Sequence, residues 1–346
     1  MNIFLVFDKN QKCTTGVYIY KELKKLNHNV KILYPEEVRS NLSPKPDLIL
    51  AIDYGAHYIF DVDFHPKAIW LIDTHLTLNC DKIMAEFFDV VFVAQKNNFE
   101  KLKNRFSHIY WLPLAGDLDY HGKKMTTIKY DIAFVGNLGR GTRKILMTEL
   151  INRYPNSFIG RAPCDQIGEI YSSSKIVVNY SIKNDVNMRI FEAAISGSLP
   201  MTNQIYDNGL EELFEIGNEI VTYDGTLEDL TEKINYYLKH DSERNRIAEN
   251  AYQKAISSHT YLHRVKFILE KIEQNKNFIV CYCASKNVKL SRFRLKFNEL
   301  ILYLRDAFDV IISKIKEGSL IISIPSTEKG FFKEQIPVNL NLSFKG

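Results

Sequence analysis

The sequence predicts an α/β protein of two parallel-sheet units followed by a small α+β appendage. Three observations carry that reading: short apolar runs alternate with helical stretches, the pattern restarts after a polar segment near residues 116–129, and its character changes after residue 275. The runs are unbroken Val, Ile, Leu and Phe, the mark of strands covered by helices on both faces.

In the first unit the strands are read at Ile3 to Phe7, Val30 to Leu33, Leu48 to Ile52, Ile69 to Ile72 and Val90 to Val93, with a helix near Val17 to Leu26. Gly116 to Lys129 reads as a loop, so the lobes are drawn as residues 1–120 and 121–275. The second series has strands at Ile132 to Val135, Phe158, Ile176 to Val178 and Leu199 to Met201, and a helix near Lys144 to Tyr154. Between the last two strands, Asn184 onward winds from a turn into a helix that Gly197 stops.

Leu227 to Ile272 is helical in period, with Leu230, Ile234, Tyr237 and Leu238 on one face and Ala248, Ala251 and Ala255 on another. Thr260 to Glu273 is expected to cross back, brace the first lobe and act as a hinge. In residues 276–346 a strand-like Phe278 to Cys283, an amphipathic helix through Leu300, Leu304 and Phe308, and Leu320 to Ile324 after the turn at Glu317 make the appendage. Partner binding and packing on the main body are both open for it.

At 346 residues and 45% hydrophobic content the chain can bury two or three cores. A net charge of +4 with Lys and Arg dispersed leaves no nucleic-acid footprint and is compatible with small anionic ligands. No run reaches a membrane span, and Asp8 cuts the opening apolar run too early for a signal peptide, so a cytoplasmic protein is expected. The five cysteines, Cys13, Cys80, Cys164, Cys281 and Cys283, are odd in number and scattered, which argues against a disulfide framework. Cys281 and Cys283 read more readily as reduced thiols than as half a metal site.

The segment Asn184 to Pro200 carries the strongest chemical signal. Asp185, Asn187, Arg189 and Glu192 crowd a helix N-terminus, whose unpaired N–H groups and dipole favour a diphosphate while Arg189 offers it a two-pronged partner. The plain alternative is that the acids complement the dipole and Arg189 is a surface charge. Gly136, Asn137, Gly139 and Arg143 follow a strand, where glycines let backbone amides approach phosphate and Thr142 can cap the next helix. The spacing is neither G-x-G-x-x-G nor a Walker loop, and an ordinary turn fits it too.

In the first unit, Asp53 with His57, and Asp73 with His75, stand at strand ends. His75 can relay a proton or bond a sugar or phosphate oxygen, or else bond a loop carbonyl. Asp61-Val62-Asp63 imitates a metal-binding D-x-D but precedes its strand, so both acids are expected to face solvent; no metal and no cofactor are expected.

Tyr130 to Asn137, the string Asp185-x-Asn187-x-Arg189-x-Phe191-Glu192, Gly197 and His259-Thr260-Tyr261, with Trp70 to His75, Val93 to Lys96 and Trp111-Leu112-Pro113, resemble the CgeB-like, spore-protein-associated glycosyltransferases of the GT-B group. The likeness covers most of residues 1–275 and not the tail. It implies two Rossmann-like lobes, with a nucleotide-sugar donor on Gly136, Asn137, Gly139, Arg143, Asn187, Arg189 and Glu192. It also implies an acceptor on the first lobe; by their place at strand ends Asp53, Asp73 and His75 are expected to face that acceptor or the sugar, and the expected mechanism gives catalysis to His75, Asp185 and Arg189. In the broader retaining group two spaced glutamates flank the donor; Glu192 matches the second, while Asn184 stands at the first and Asp185 is one residue out of step.

The expected activity is metal-independent sugar transfer to a glycan, protein or small-molecule acceptor. A nucleotide-sugar epimerase or hydrolase, and a non-catalytic nucleotide or sugar sensor with a partner-binding tail at residues 276–346, are the alternatives.

Overall fold

The computed structural model describes the backbone of residues 1–10, 12–53, 56–275 and 287–316, and the side chains of all these but 56 and 311–316. The expectations for Phe278 to Cys283, the turn at Glu317 and Leu320 to Ile324 lie outside the described residues. The chain forms two compact units, Met1–Ser285 and Lys286–Gly346.

The first sheet holds β1 (Asn2–Val6), β2 (Asn29–Leu33), β3 (Leu48–Ile52), β4 (Lys67–Leu71), β5 (Val90–Val93) and β6 (Ile109–Trp111), all parallel, in the order β2-β1-β3-β4-β5-β6. Helices α1 (Thr15–Lys25), α2 (Thr74–Ala85) and α3 (Lys96–Leu102) connect it. Every residue of β3, β4 and β5 is buried, which is why these strands read as unbroken apolar runs.

The second sheet holds β7 (Tyr130–Val135), β8 (Ser157–Gly160), β9 (Ser174–Asn179), β10 (Leu199–Asn203) and β11 (Val221–Tyr223), again parallel, in the order β11-β10-β9-β7-β8. Its helices are α4 (Thr142–Arg153), α5 (Cys164–Ser172), α6 (Met188–Ser196), α7 (Leu210–Leu213), α8 (Leu227–Lys239), α9 (Asp241–Ser258) and α10 (Tyr261–Asn275). Two Rossmann-like sheets are therefore present. Strand order reverses between β1 and β3 in one and between β7 and β9 in the other, the places where open α/β sheets receive ligands.

The chain does cross back. Tyr261, Val265, Ile268 and Ile272 of α10 join one apolar cluster with Ile3, Leu5 and Tyr18 of the first sheet and α1. The outgoing and returning segments touch where Gly116 N–H donates to His259 O at 3.0 Å and Tyr261 N–H donates to Gly116 O at 3.2 Å. Arg264 seals the joint by donating from Nε to Pro113 O at 2.7 Å, from Nη2 to Leu114 O at 2.9 Å and from Nη1 to Ser258 O at 3.1 Å. His259 donates from Nε2 to Leu213 O at 2.9 Å. Burial and the adjacent Arg264 guanidinium pull this imidazole down to about 3, so it stays neutral at any ordinary pH.

One expectation is corrected. Cys13, in the loop before α1, and Cys164, at the start of α5, form a disulfide with their Cα atoms 6.0 Å apart, across 151 residues of sequence. Counting and local spacing register only near neighbours, whereas the fold brings two distant loops together. Cys80 is a buried cysteine outside this disulfide; Cys281 and Cys283 lie outside the described residues.

In the second unit α11 (Val288–Lys316) takes up the predicted amphipathic helix. Among the described residues no helix is long and apolar enough to cross a membrane.

Candidate functional site

The carboxyl ends of β7 and β9 are bridged by one side chain. Arg189, from the first turn of α6, donates from Nε to Val135 O at 3.0 Å and from Nη1 to Asn179 Oδ1 at 2.6 Å, and its guanidinium carbon lies 4.1 Å from the centre of the Phe134 ring. The plain reading of Arg189 as a surface charge is thereby excluded. Its Nη2 edge lies over Gly136, where an added Cβ would come within 2.5 Å of that nitrogen. The backbone there, at φ +154, is one that L side chains rarely adopt, which favours glycine.

Arg143, in the first turn of α4, folds back over the same bend, donating from Nε to Leu138 O at 3.1 Å. Gly139 has φ +68, and a Cβ on it would sit 2.5 Å from Arg143 Nη2. Burial and the charge of Arg189 hold the Arg143 guanidinium below its ordinary value, with Asp185 opposing. Neither arginine forms an ion pair among the described residues, so two guanidinium groups share a glycine bend without a matching carboxylate bonded to them.

Two details of this bend differ from expectation. The Gly139 amide is not free for a ligand, because Asn137 Oδ1 accepts it at 3.0 Å in a local turn. Thr142 does not cap α4; Gly141, at φ +62, takes the cap position without any side-chain bond.

Asn187 stands at the N-cap of α6, and its Oδ1 is buried with no hydrogen-bond partner among the described residues. The turn ahead of it is held rigidly. Asn184 accepts from Tyr206 N at 2.7 Å and also donates to Tyr206 O, so the residue at the first-acid position is spent on a backbone clamp. Gln95, buried at the end of β5, accepts from Val186 N–H at 2.9 Å and from Asn208 Nδ2 at 2.7 Å, tying this turn to the first sheet.

Asp185 Oδ1 accepts from Ile182 N–H at 2.7 Å, and its Oδ2 lies 4.0 Å from His75 Nε2 on α2. The structure thus joins His75 and Asp185, which sequence reasoning placed on opposite lobes. His75 Nδ1 is buried without a hydrogen-bond partner among the described residues. Asp73 precedes His75, and its N–H points to Asp53 Oδ2 at 3.5 Å. Burial first, then the Asp73 charge, push the Asp53 carboxyl up to about 7, and burial likewise raises Asp73. Asp81, missed by the sequence reading, is wholly buried on α2 with Oδ2 accepting from Thr77 Oγ1 at 2.9 Å. An acid on the helix face that also carries Cys80 and Met84 was the available signal.

Glu192 faces a different neighbourhood, towards α1. His121 accepts the Asp117 N–H at Nδ1 (3.2 Å), so its Nε2 carries the proton and reaches Glu192 Oε1 at 3.4 Å and Tyr18 OH at 3.3 Å. His121 is fully buried. Neither it nor Asn179 has a local sequence signature. His57 belongs to a short turn beside Tyr58, with ring centres 4.2 Å apart. Asp61 pairs with Arg39 at 2.6 Å and the Asp63 side chain is 95% exposed, as the D-x-D reading anticipated. Among the described residues no three His, Cys, Asp or Glu side chains gather in a metal-holding group.

Residues 123–270 match a family model described as glycosyl transferase-like. No curated protein matches the chain. Among solved structures the fold is similar to HepE of Anabaena, described in complex with UDP and glucose, at 13% identity over 79% of this chain and 100% of that one, TM-score 0.60. It is also similar to sucrose-phosphate synthase of Thermosynechococcus elongatus, at 10% identity over 80% and 99%, TM-score 0.63. A third is an alpha-glucosyltransferase described with UDP-glucose and DNA containing an abasic site, at 13% identity over 79% and 98%, TM-score 0.58. The fold is the two-lobed GT-B arrangement, and the family-model match falls within the second lobe and the helices that close it.

Proposed function

We propose that this protein is a nucleotide-sugar-dependent glycosyltransferase that moves a sugar from a nucleoside-diphosphate donor to an acceptor hydroxyl, with no metal and no further cofactor. The observation that carries the reading is the pair Arg143 and Arg189, without a carboxylate ion pair among the described residues and converging on the Gly136 bend at the β7/β9 reversal. A family-model match over the same lobe supports it, as do neighbours of this fold described with UDP or UDP-glucose.

When the glycosidic bond to the diphosphate breaks, charge grows on the leaving oxygens while the anomeric carbon becomes oxocarbenium-like. Guanidinium donors already oriented by Val135 O, Asn179 and Leu138 O need little rearrangement to meet that charge, and each is worth about 3 kcal/mol if it behaves as an oxyanion donor. Asn187 Oδ1, buried and unbonded, accepts a donor hydroxyl. Glu192, held by His121, accepts the ribose hydroxyls. On the first lobe, Asp53 with a value near neutrality is matched to take the acceptor proton, and His75 with Asp185 holds the transferred sugar. The CgeB-like kinship belongs to this proposal and rests on the motif strings. The acceptor is a glycan, a protein or a small molecule, a choice supported by the dispersed positive charge.

The test is donor binding and turnover of Arg189→Ala and Arg143→Ala across uridine, guanosine, thymidine and cytidine diphosphate sugars, with a folding control. The expected result is loss of donor binding and at least a hundredfold loss of turnover, by the oxyanion-donor scale. Unchanged rates with every donor would remove both arginines from the site. Product analysis without acceptor separates a hydrolase or epimerase, ligand-induced thermal shifts without turnover separate a sensor, and single-stranded DNA in the acceptor panel tests the excluded class.

A further inference from the structure

The second unit carries a surface of its own, independent of the catalytic reading. At 3.6 residues per turn, Leu290, Phe293, Phe297, Ile301, Leu304 and Phe308 of α11 fall within an arc of about 100°. Each is exposed, from 47% at Ile301 to 68% at Phe293. Phe rings and Leu and Ile side chains in open water over several turns form a continuous apolar stripe, larger than the scattered hydrophobes of ordinary surfaces.

Charge is sorted around that stripe. Lys289 and Lys296 border one edge and Arg294 and Arg305 the other, all exposed. The acids Glu299, Asp306 and Asp309 stand on the opposite side of the wheel. Ser291 and Leu295, on that same opposite side, are buried, and burial pushes the Glu299 carboxyl up to about 7. Asp306 and Asp309 on that side are exposed, and Asp306 Oδ1 accepts from Arg305 Nη2 at 3.2 Å, so the apolar stripe itself is bordered by cations and holds no acid.

We propose that α11 is a docking element for an anionic lipid bilayer, lying in the interfacial plane with the phenylalanines among the acyl chains and the four cations at the level of the headgroup phosphates. Cations on both borders match headgroups that flank a helix on both sides, whereas the partner for a coiled coil would call for mixed charges there. With charges on every other face the helix can lie on a bilayer but not span it, in accord with the absence of a crossing helix among the described residues.

The test is cosedimentation of the full chain with vesicles of phosphatidylcholine alone and of phosphatidylcholine with phosphatidylglycerol. The expected result is capture by the anionic vesicles, weakened by salt, with little capture by neutral ones. Capture should fall about tenfold or more both in Phe293→Glu/Phe297→Glu and in Lys289→Gln/Lys296→Gln/Arg294→Gln/Arg305→Gln. Because the glutamate variant could misfold, Phe297→Trp supplies a second reading: its emission should shift to the blue on adding anionic vesicles. Equal capture by both vesicle types, no capture by either, or an unshifted tryptophan would overturn the proposal. So would a variant that only converts a dimer to a monomer in lipid-free buffer, since a second copy would then be the occupant.

Discussion

Replacing Asp53 with Asn tests the carboxylate side of the site through protein stability. Asp53 follows β3 with φ +51, a conformation that Asn accepts at least as well as Asp, so the backbone is not strained by the change. The folded carboxyl titrates at about 7, against about 3.9 in an unfolded chain. Below about pH 4 both states hold the proton, and from there to about pH 7 only the folded state does. The stability linked to this proton is thus fully present in acid and is lost as pH rises through about 7. Three units at 1.36 kcal/mol each set a ceiling of about 4 kcal/mol, shared with the neighbouring Asp73 and Asp81. Urea unfolding of both proteins from pH 4.5 to 8.5 should show Asp53→Asn gaining on the wild type with rising pH, by up to about 4 kcal/mol at the alkaline end. Parallel stability curves would refute the burial argument. The same variant should lose the alkaline rise of kcat/KM that a carboxyl acting as base produces.

Three further outcomes follow from geometry. His121→Phe removes the Nε2 donor from buried Glu192, and loss of such a bond at about 1–3 kcal/mol should raise the donor KM roughly tenfold or more, with partial rescue in His121→Gln; an unchanged KM in both would free Glu192 from dependence on His121. Cys13→Ser, or reduction of the wild type, should lower unfolding stability by about 2–5 kcal/mol because the closed loop is long, and identical urea midpoints with and without dithiothreitol would contradict it. Arg264→Met leaves the Pro113, Leu114 and Ser258 carbonyls without their donor, and should cost about 3 kcal/mol or more in thermal or urea unfolding; a variant as stable as wild type would show that the joint does not depend on it.

Strands β3, β4 and β5 were legible because total burial writes itself as consecutive apolar residues. The short edge strands β6 and β11, three residues each, were not read as strands, since nothing in so brief a run separates strand from loop. Gly136, Arg143 and Arg189 could be picked out from local context: a glycine bend after a strand and a guanidinium at a helix start. Their anchor Asn179, the Gln95 clamp, the His121 contact to Glu192 and the Cys13–Cys164 bridge could not. Each depends on pairing between segments far apart in the chain, and sequence periodicity carries no record of which distant loops will meet.

The return of α10 to the first sheet has a consequence for biosynthesis. Phe267 packs against Phe92 and Tyr110, so a nascent chain released before this helix has emerged from the ribosome leaves those rings uncovered, and the first sheet remains a client for chaperones until the helix ending at Asn275 has emerged. For the same reason a chimaera made by splicing at one junction in the 116–129 segment will inherit the wrong cover. Exchanging halves between such enzymes needs two splice points, one on each passage between the lobes.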